Sequence, residues 1–286
     1  MNIRIIPRLD IKGPNLVKGI HLEGLRVLGK PEEFARYYYE QGADELIYMD
    51  VVASLYERNS LHEIISKTAK EIFIPLTVGG GLRTIEDMKE VLRAGADKVA
   101  LNTAAIKDPD IIRQASRIFG SSTIVVVIEA IKQPDGSYLA YTDNGRQYTG
   151  VDAIEWARRV EDLGAGELVV TSVDREGTGR GFDLELTRKI AGMAAIPVIA
   201  HGGLGKLEHF LEVLTDGGAD AIAVASVLHY EFIKHYKEIT GGDKEGNIEF
   251  LKSGKIYSQI EPANLPDIKK FLYNHSIPCR IDPTEN

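Results

Sequence analysis

The sequence is poor in the features that mark secreted, membrane-spanning or disulfide-stabilised proteins. A single cysteine, Cys279, among 286 residues excludes an internal disulfide and is typical of a reducing compartment. No stretch approaches the roughly 18 uninterrupted apolar residues that a membrane helix needs. The start, MNIRIIPRLDIK, carries charges within its apolar run and lacks a small-residue cleavage site. We therefore expect a soluble, cytoplasmic protein that does not engage a membrane.

Charge and ligand-type residues argue against two further classes. The net charge is −8 and no block of like charge occurs, so a nucleic-acid backbone is not expected as a partner. The seven histidines and the cysteine form no cluster with metal-ligand spacing, so we expect neither a metal nor another cofactor. Hydrophobic residues make up 44% of the chain, which is enough to form one large core.

Three phrases of the sequence occur twice at a nearly constant distance. They are IPLTVGGGLRT (74–84) and IPVIAHGGLGK (196–206), QGADELIYMDV (41–51) and LGAGELVVTSV (163–173), and RAGADKVALNTA (93–104) and DGGADAIAVASV (216–227). The offset is 122 residues for the first two pairs and 123 for the third. A long offset held across three motifs indicates two similar halves rather than a short-period solenoid.

Each half alternates short apolar runs with helical patterns. The apolar runs predict strands buried on both faces: IRIIPRL, ELIYMDV, IPLTV, KVALN, TIVVVIEA, ELVVTSV, IPVIA and AIAVAS. Between them, helix signals recur, such as Thr84 as an N-cap and Gly95 as a stop. This α/β alternation in two matched halves predicts a single closed (β/α)8 barrel (TIM barrel) over residues 1–286. An open, doubly wound sheet is the alternative.

Two insertions interrupt this plan. The segment 131–150 follows the fifth strand and has hairpin-type turn residues at 134–136 and 144–145. The segment 240–262 is rich in glycine and charge and delays the last helix, PDIKKFLYNH. Neither segment has the composition of a separate domain.

Glycine runs follow two strands that occupy matching places in the halves. Glycine lets backbone N–H groups approach a ligand, and the start of a following helix favours an anion. Small polar residues end the neighbouring strands, so the predicted phosphate-binding sets are Gly80, Gly81, Asn102 and Thr103 in one half and Gly202, Gly203, Ala225 and Ser226 in the other. Two such sites suit a long substrate with a phosphate at each end. The alternative is that these glycines only turn the chain.

Carboxylates lie at the ends of the predicted strands, where barrel active sites are built. Asp10 ends the first strand and Glu129 ends the fifth, so the two should face each other between the phosphate sites. Two opposed carboxylates can divide acid and base work if their surroundings separate their pKa values. The further candidates at this mouth are Asp50, Thr171, Asp174, Glu176 and His201. The competing interpretation is a helix cap or salt bridge for each acid, and a partly exposed surface residue for the histidine, which could otherwise contact a phosphate.

These residues fall within motifs of a known family. RIIPRLDIK, KG at 18–19, DELIYMD, IPLTVGGGLRT, GADKVALNTAA, GAGELVVTSVDREGTGRGFD and GGLGKLEHFLE occur in the family's order. From about residue 3 to residue 230, and again in the last helix, the chain resembles the cyclase subunit of imidazole glycerol phosphate synthase (HisF). The resemblance implies a carbon–nitrogen lyase of histidine biosynthesis. Ammonia from a HisH-like glutaminase at the barrel's amino-terminal face would attack a bis-phosphorylated aminoimidazole carboxamide ribulose intermediate. The products would be imidazole glycerol phosphate and aminoimidazole carboxamide ribotide.

The resemblance also implies roles for individual residues. Asp10 and Glu129 fall at the family's two catalytic aspartates, Lys18 falls at its loop lysine, and the two glycine sets fall at its phosphate-binding backbone. An ammonia gate at the amino-terminal end is implied for Arg4, Glu45, Lys98 and Glu167, each at the start of a strand. Charges that enter a barrel core must be paired, because lone ones cost several kcal/mol. Two charges of each sign permit that pairing, and the alternative is a purely structural ring of salt bridges.

The departures from the family pattern cluster at the mouth. They are Glu129 for the second catalytic aspartate, Glu176 in DREGT, His201 in AHGG, Val52 in DVVAS, and Arg8 where a cysteine is usual. A shift of one ångström in a catalytic group can cost about 100-fold in rate. The departures therefore leave open which substrate the protein uses.

Three other functions are compatible with the sequence. A WbuZ-like paralogue of the cyclase subunit would pass ammonia to a sugar amidotransferase that amidates an N-acetyl sugar in surface glycan synthesis, with 240–262 as a docking element. A non-catalytic barrel would only activate the glutaminase. A sugar-phosphate isomerase with two catalytic acids is the third, and the ring of four charges argues against it.

Overall fold

The fold is seen in a computed structural model, which describes residues 2–53, 61–236 and 259–281. The strands in these ranges are β1 (Arg4–Lys12), β2 (Asn15–Ile20), β3 (Glu23–Gly29), β4 (Leu46–Asp50), β5 (Leu76–Gly79), β6 (Lys98–Leu101), β7 (Ile124–Lys132), β8 (Tyr138–Thr142), β9 (Gln147–Asp152), β10 (Glu167–Ser172), β11 (Val198–His201) and β12 (Ala221–Val224). The helices are α1 (Pro31–Glu40), α2 (His62–Thr68), α3 (Ile85–Ala94), α4 (Thr103–Lys107), α5 (Asp110–Phe119), α6 (Ala153–Asp162), α7 (Leu184–Ala191), α8 (Glu208–Thr215), α9 (Ser226–Tyr236) and α10 (Leu265–Asn274). Among the described residues, no helix is long and apolar enough to cross a membrane.

Eight strands pair in parallel and close into a barrel. Their order around it is β1, β4, β5, β6, β7, β10, β11 and β12, and β12 returns to β1. Because β7 pairs with both β6 and β10, no edge is left open between the two halves. The predicted (β/α)8 barrel is therefore confirmed, and the open sheet is wrong.

The helices start and stop where the sequence signals predict. The Thr84 side chain accepts a hydrogen bond from the Asp87 N–H, and the Asp87 side chain accepts from the Thr84 N–H, which forms a capping box at the start of α3. Gly95 ends that helix with φ 121°. Pro31 occupies the first turn of α1. Helix α3 thus begins four residues after Gly81, directly beyond its N-cap Thr84.

The core is divided by the barrel wall. Leu9 and Ile11 of β1 pack outwards against the helices, while Ile6 belongs to an apolar cluster inside the barrel with residues such as Val127 and Ile199. Since successive strand residues point to opposite faces, Ile6, Arg8 and Asp10 lie on the inner face of β1. The barrel interior is thus apolar in its middle layer and charged above it.

Two antiparallel hairpins extend the barrel at its carboxyl-terminal end. Strands β8 and β9 form the hairpin predicted within 131–150. Strands β2 and β3 form a second hairpin that continues from β1, in a stretch to which the sequence analysis assigned no strand. Its tip, His21 and Leu22, has φ angles of 52° and 60°. Of the predicted insertion 240–262, residues 240–258 lie outside the described ranges, and α10 follows as expected.

Replacing Gly80 by alanine should destabilise the fold more than Gly136→Ala does. Both residues have left-handed backbone, with φ 93° and 86°, so each substitution carries roughly 1–2 kcal/mol of strain. An added Cβ at Gly80 would lie 2.2 Å from the carbonyl oxygen of Asp50, whereas nothing lies within 4 Å at Gly136. The forced shift should add about 1–3 kcal/mol. Denaturant titration of both variants measures the difference, and equal losses would contradict the close approach.

Candidate active site

The mouth of the barrel holds a cavity of about 220 Å³. Its lining includes Arg8, Asp50, Gly80, Gly81, Asn102, Thr103, Glu129 and Asn144. One predicted phosphate set and one predicted catalytic carboxylate therefore share the same space. Among the described residues, no group of three His, Cys, Asp or Glu side chains could hold a metal ion.

A buried ion pair occupies the centre of the mouth. The Arg8 Nε donates to Asp10 Oδ1 at 2.9 Å, and the two residues are 1% and 3% exposed. Burial opposes the charge on Arg8, but the carboxylates of Asp10, Glu129 and Glu176 act in the other direction and raise the pKa of the guanidinium. The two carboxylates predicted to face each other thus share a fixed cation that the sequence analysis treated only as a departure from the family.

Glu129 is set up to exchange protons near neutral pH. Its carboxylate is buried, and its Oε2 accepts a hydrogen bond from the Gly145 N–H at 2.8 Å. Burial raises the pKa of Glu129 to about 7, although the charge of Arg8 and the Gly145 hydrogen bond both favour the ionised form. A carboxyl group with such a pKa can act as an acid or a base at physiological pH.

His201 is buried rather than partly exposed, which corrects the surface interpretation of this residue. Register places Thr171 of β10 opposite both His201 of β11 and Glu129 of β7. The His201 Nδ1 lies 3.1 Å from Arg8 Nη1 and 3.2 Å from Thr171 Oγ1. Burial, followed by the charges of Arg8 and Lys18, lowers the pKa of His201 well below its ordinary value. The ring is therefore neutral, and its Nδ1 can accept from the guanidinium.

Lys18 and Glu176 form a second buried ion pair at the mouth. Lys18 Nζ contacts Glu176 Oε1, and Glu176 Oε2 accepts a hydrogen bond from the Leu22 N–H at 2.9 Å. The Leu22 carbonyl in turn accepts from Asn144 Nδ2 at 2.8 Å. The tip of the β2–β3 hairpin is thus bonded to the turn between β8 and β9 and to the loop after β10.

The two predicted phosphate sets differ in their surroundings. Gly80, Gly81, Gly202 and Gly203 all have left-handed backbone, as close approach of N–H groups to an anion requires. The first set lines the cavity, and the Asn102 Oδ1 there is buried without a hydrogen-bond partner in the described ranges. The second set is buried and does not line this cavity. The Gly203 carbonyl accepts from the Gly181 N–H at 2.8 Å, so the loop after β10 covers it.

The two remaining acids differ in position. Asp50 lines the cavity, and its Oδ1 accepts hydrogen bonds from the N–H groups of Val52 and Ala53. Asp174 is exposed, does not line the cavity, and accepts from the Lys132 N–H at 2.8 Å. This contact of Asp174 is a hydrogen bond to the backbone at the end of β7, so it is neither the helix cap nor the salt bridge of the competing interpretation.

A closed ring of ion pairs lies at the opposite end of the barrel. Arg4 bonds Glu45 at 2.6 Å and Glu167 at 2.7 Å, and Lys98 bonds the same two carboxylates at 3.0 and 2.9 Å. Each charge therefore contacts two of opposite sign, in the pairing that the sequence analysis considered possible. The four side chains are between 9% and 22% exposed, so the ring closes the lumen but reaches the amino-terminal surface.

Sequence reasoning missed three residues that shape this site. Arg8 lies two positions before Asp10, so strand alternation alone placed both on one face, but the pairing was not inferred. Asn144 and Gly145 were assigned to a hairpin turn without any link to the site. Their hydrogen bonds to Leu22 and Glu129 depend on how the loops meet, and no local pattern carries that information.

The chain is similar to proteins of histidine biosynthesis. The sequence model described as "Histidine biosynthesis protein" matches residues 4–234. The chain is 59% identical over 209 residues to an imidazole glycerol phosphate synthase subunit HisF of Legionella pneumophila, covering 73% of this chain and 99% of that protein. It is 47% identical over 227 residues to the subunit of the same name from Alkaliphilus metalliredigens (strain QYMF), covering 79% of this chain and 90% of that protein.

The elevated pKa of Glu129 predicts a pH-dependent stability. Folding raises this pKa from 4.5 to about 7, so the protonated form is favoured in the folded state. The resulting stabilisation is complete below about pH 4.5 and is lost as the pH rises through about 7. Glu129→Gln abolishes this titration. The free energy of unfolding of the variant, relative to that of the wild type, should therefore rise by about 3 kcal/mol from pH 4.5 to pH 8. Denaturant titrations at both pH values measure this.

The matched control for this experiment is Glu90→Gln, which removes an exposed glutamate of α3. Its stability relative to the wild type should be the same at both pH values. A constant difference between Glu129→Gln and the wild type would contradict the assignment of a raised pKa to Glu129.

Proposed function

This chain belongs to the histidine biosynthesis protein family, and we propose that it is the ammonia-dependent cyclase subunit of an imidazole glycerol phosphate synthase. Its substrate is a bis-phosphorylated aminoimidazole carboxamide ribulose intermediate, and its products are imidazole glycerol phosphate and aminoimidazole carboxamide ribotide. The observation that carries the proposal is the 59% identity to a subunit of that name over 99% of its length. The charged side chains at the mouth are groups of the kind that such a reaction needs.

The mouth supplies groups for each part of this reaction. The ring closure requires protons to leave ammonia nitrogen and to reach oxygen, and Glu129, with its pKa of about 7, can accept and return them. Asp10 is held by Arg8 on the same inner face and is the second catalytic carboxylate. Lys18, on strand β2 of the hairpin, is held by Glu176 and is the loop lysine of the site. The glycine sets of the two halves bind the two phosphates.

We assign the amino-terminal face to a glutaminase partner. The word subunit in the names of both relatives points to an enzyme of more than one chain. The ring of Arg4, Glu45, Lys98 and Glu167 lies on that face and stands between it and the lumen. Phe73, three residues before β5, is 81% exposed and contacts Tyr39 edge-on, so the same end also presents an apolar contact surface. Ammonia released there enters the barrel through the ring.

No observation favours the glycan-amidation alternative. Two of the departures at the mouth make polar contacts within this chain: Glu176 bonds Lys18, and His201 bonds Arg8. Both named relatives are imidazole glycerol phosphate synthase subunits HisF, and neither name refers to sugar amidation. We therefore propose no sugar amidotransferase as a partner.

The purified chain should convert the bis-phosphorylated intermediate with ammonium salt as the nitrogen source. Turnover on the order of 1 per second is expected, within the usual range of enzymes. Asp10→Asn and Glu129→Gln should each lower kcat by about 100-fold or more, because each removes a group that transfers protons. Absorbance of the released products measures the rate.

Asp162→Asn, at an exposed position at the end of α6, is the control and should retain full turnover. A folded wild-type chain that does not turn over this substrate would refute the proposed function.

The ring predicts a separable effect on ammonia supply. Arg4→Ala removes two of the four ion pairs and opens the lumen, so in a complex with glutaminase the coupling between glutamine hydrolysis and product formation should fall well below one to one. Activity with ammonium salt should stay within about threefold, because the mouth is unchanged. Paired assays of glutamate and cyclised product measure the coupling.

Arg117→Ala, which removes an exposed arginine of α5, is the control. Full coupling in Arg4→Ala would contradict the gate.

A further inference from the structure

The guanidinium of Arg8 is fixed through two of its three nitrogens. Nε donates to Asp10 Oδ1 at 2.9 Å, while Nη1 lies 3.1 Å from His201 Nδ1 and 3.3 Å from Thr171 Oγ1. The third nitrogen, Nη2, is buried and has no hydrogen-bond partner in the described part of the chain. An unmatched donor of a buried charged group is costly, and such a group in a native structure calls for an explanation.

The contacts of Arg8 hold its orientation rather than merely neutralise its charge. Asp10 alone would balance the charge of the guanidinium. Thr171 and the neutral His201 add two further contacts from the neighbouring strands β10 and β11, and these set the plane of the fork. A planar guanidinium held in this way presents its free N–H groups in a constant direction.

Arg8 also lines the cavity at the mouth. Gly80, Gly81, Asn102 and Thr103 form one part of the lining, and Arg8 and Glu129 form another. A substrate phosphate at the glycine loop would place the adjoining part of the molecule within the same cavity as Arg8 and Glu129. Arg8, with its unmatched donor, is thus among the residues that surround the space in which the substrate reacts.

We propose that Arg8 is a catalytic residue of this chain, whose Nη2 binds the substrate carbonyl oxygen that becomes negatively charged when ammonia adds. The inference rests on the proposed function. The lone pair of ammonia forms the new C–N bond, and the π electrons of the C=O bond move to the oxygen. Arg8 stabilises that oxyanion until one proton passes from the new ammonium group to the oxygen through Glu129, which gives a neutral carbinolamine. Donors placed where charge develops are among the largest contributions to catalysis.

A purely electrostatic role for Arg8 makes a different prediction. If Arg8 served only to pair with Asp10, any cation that reaches Asp10 would suffice, and lysine would replace it. Lysine carries the charge but has no planar fork, so one ammonium group cannot keep the contacts to Asp10, Thr171 and His201 while also presenting a fixed donor to the cavity. Arg8→Lys therefore separates the two roles.

The experiment compares the wild type with Arg8→Lys and Arg8→Met in the ammonium-salt assay with the bis-phosphorylated intermediate. Both variants should lose about 10²- to 10³-fold in kcat, the usual effect of removing an oxyanion donor. Their KM should change by only a few fold, because the phosphate-binding loops are intact. Free guanidinium ions should partly restore the rate of a third variant, Arg8→Gly, by occupying the vacated space. Arg117→Lys and Arg117→Met are the matched surface controls.

The possible outcomes are distinct. Full activity in Arg8→Lys would overturn the proposal and leave Arg8 as the partner of Asp10 alone, and so would Arg8→Met with kcat close to the wild type. Arg8→Met leaves Asp10 without its partner, so circular dichroism and denaturant titration check its folding, and Arg8→Lys decides the question if Arg8→Met does not fold. Absence of turnover in the wild type would instead refute the proposed function itself.

Discussion

The structure depends on the pairing of charges inside a closed barrel. A charge taken from water into a protein interior costs several kcal/mol unless a partner of opposite sign and further hydrogen bonds compensate it. This chain meets that requirement at three places in one barrel: the four-membered ring at the amino-terminal end, Arg8 with Asp10 at the centre of the mouth, and Lys18 of the β2–β3 hairpin with Glu176. Between the ring and Arg8 lies an apolar layer that includes Ile6 and Val127. Small neutral molecules can pass such a layer at lower cost than ions can.

Glu129 is a buried carboxyl group of the mouth that belongs to neither of the two ion pairs there. Asp10 is bonded to Arg8, and Glu176 is bonded to Lys18, whereas the contact of Glu129 at hydrogen-bond distance is the Gly145 N–H. Its pKa of about 7 follows from this position, because burial penalises the anion more than the nearby guanidinium stabilises it. Glu129, where the resemblance implies an aspartate, thus lies within the electrostatic influence of the Arg8 guanidinium.

The sequence predicted the barrel well because the barrel follows from local patterns. The repeated phrases located the strands, and capping residues such as Thr84 located helix starts, since both depend on neighbours in the chain. The β2–β3 hairpin escaped prediction because its tip, His21 and Leu22, lacks the glycine or asparagine that positive φ angles usually require. Hydrogen bonds from Glu176 and Asn144 hold that tip in place, and these residues lie more than 120 positions away.

The sequence predicted which site residues lie at strand ends, but it did not predict which of these residues contact each other. The positions of Asp10 and Glu129 at the mouth follow from the strand pattern, whereas the burial of His201 follows from the register between β10 and β11. No sequence motif predicts that register. The same limit applies to Arg8, whose inward direction follows from alternation but whose three contacts come from three strands.

The two similar halves have a consequence for the direction in which a ligand can bind. Each half begins with a strand that continues into a hairpin, but the loop after β10 lies over Gly203, while the matching glycines at 80 and 81 face a cavity. The symmetry between the two halves is therefore broken at the mouth. A molecule with two chemically similar ends meets two unlike binding loops, so its two directions of binding are not equivalent.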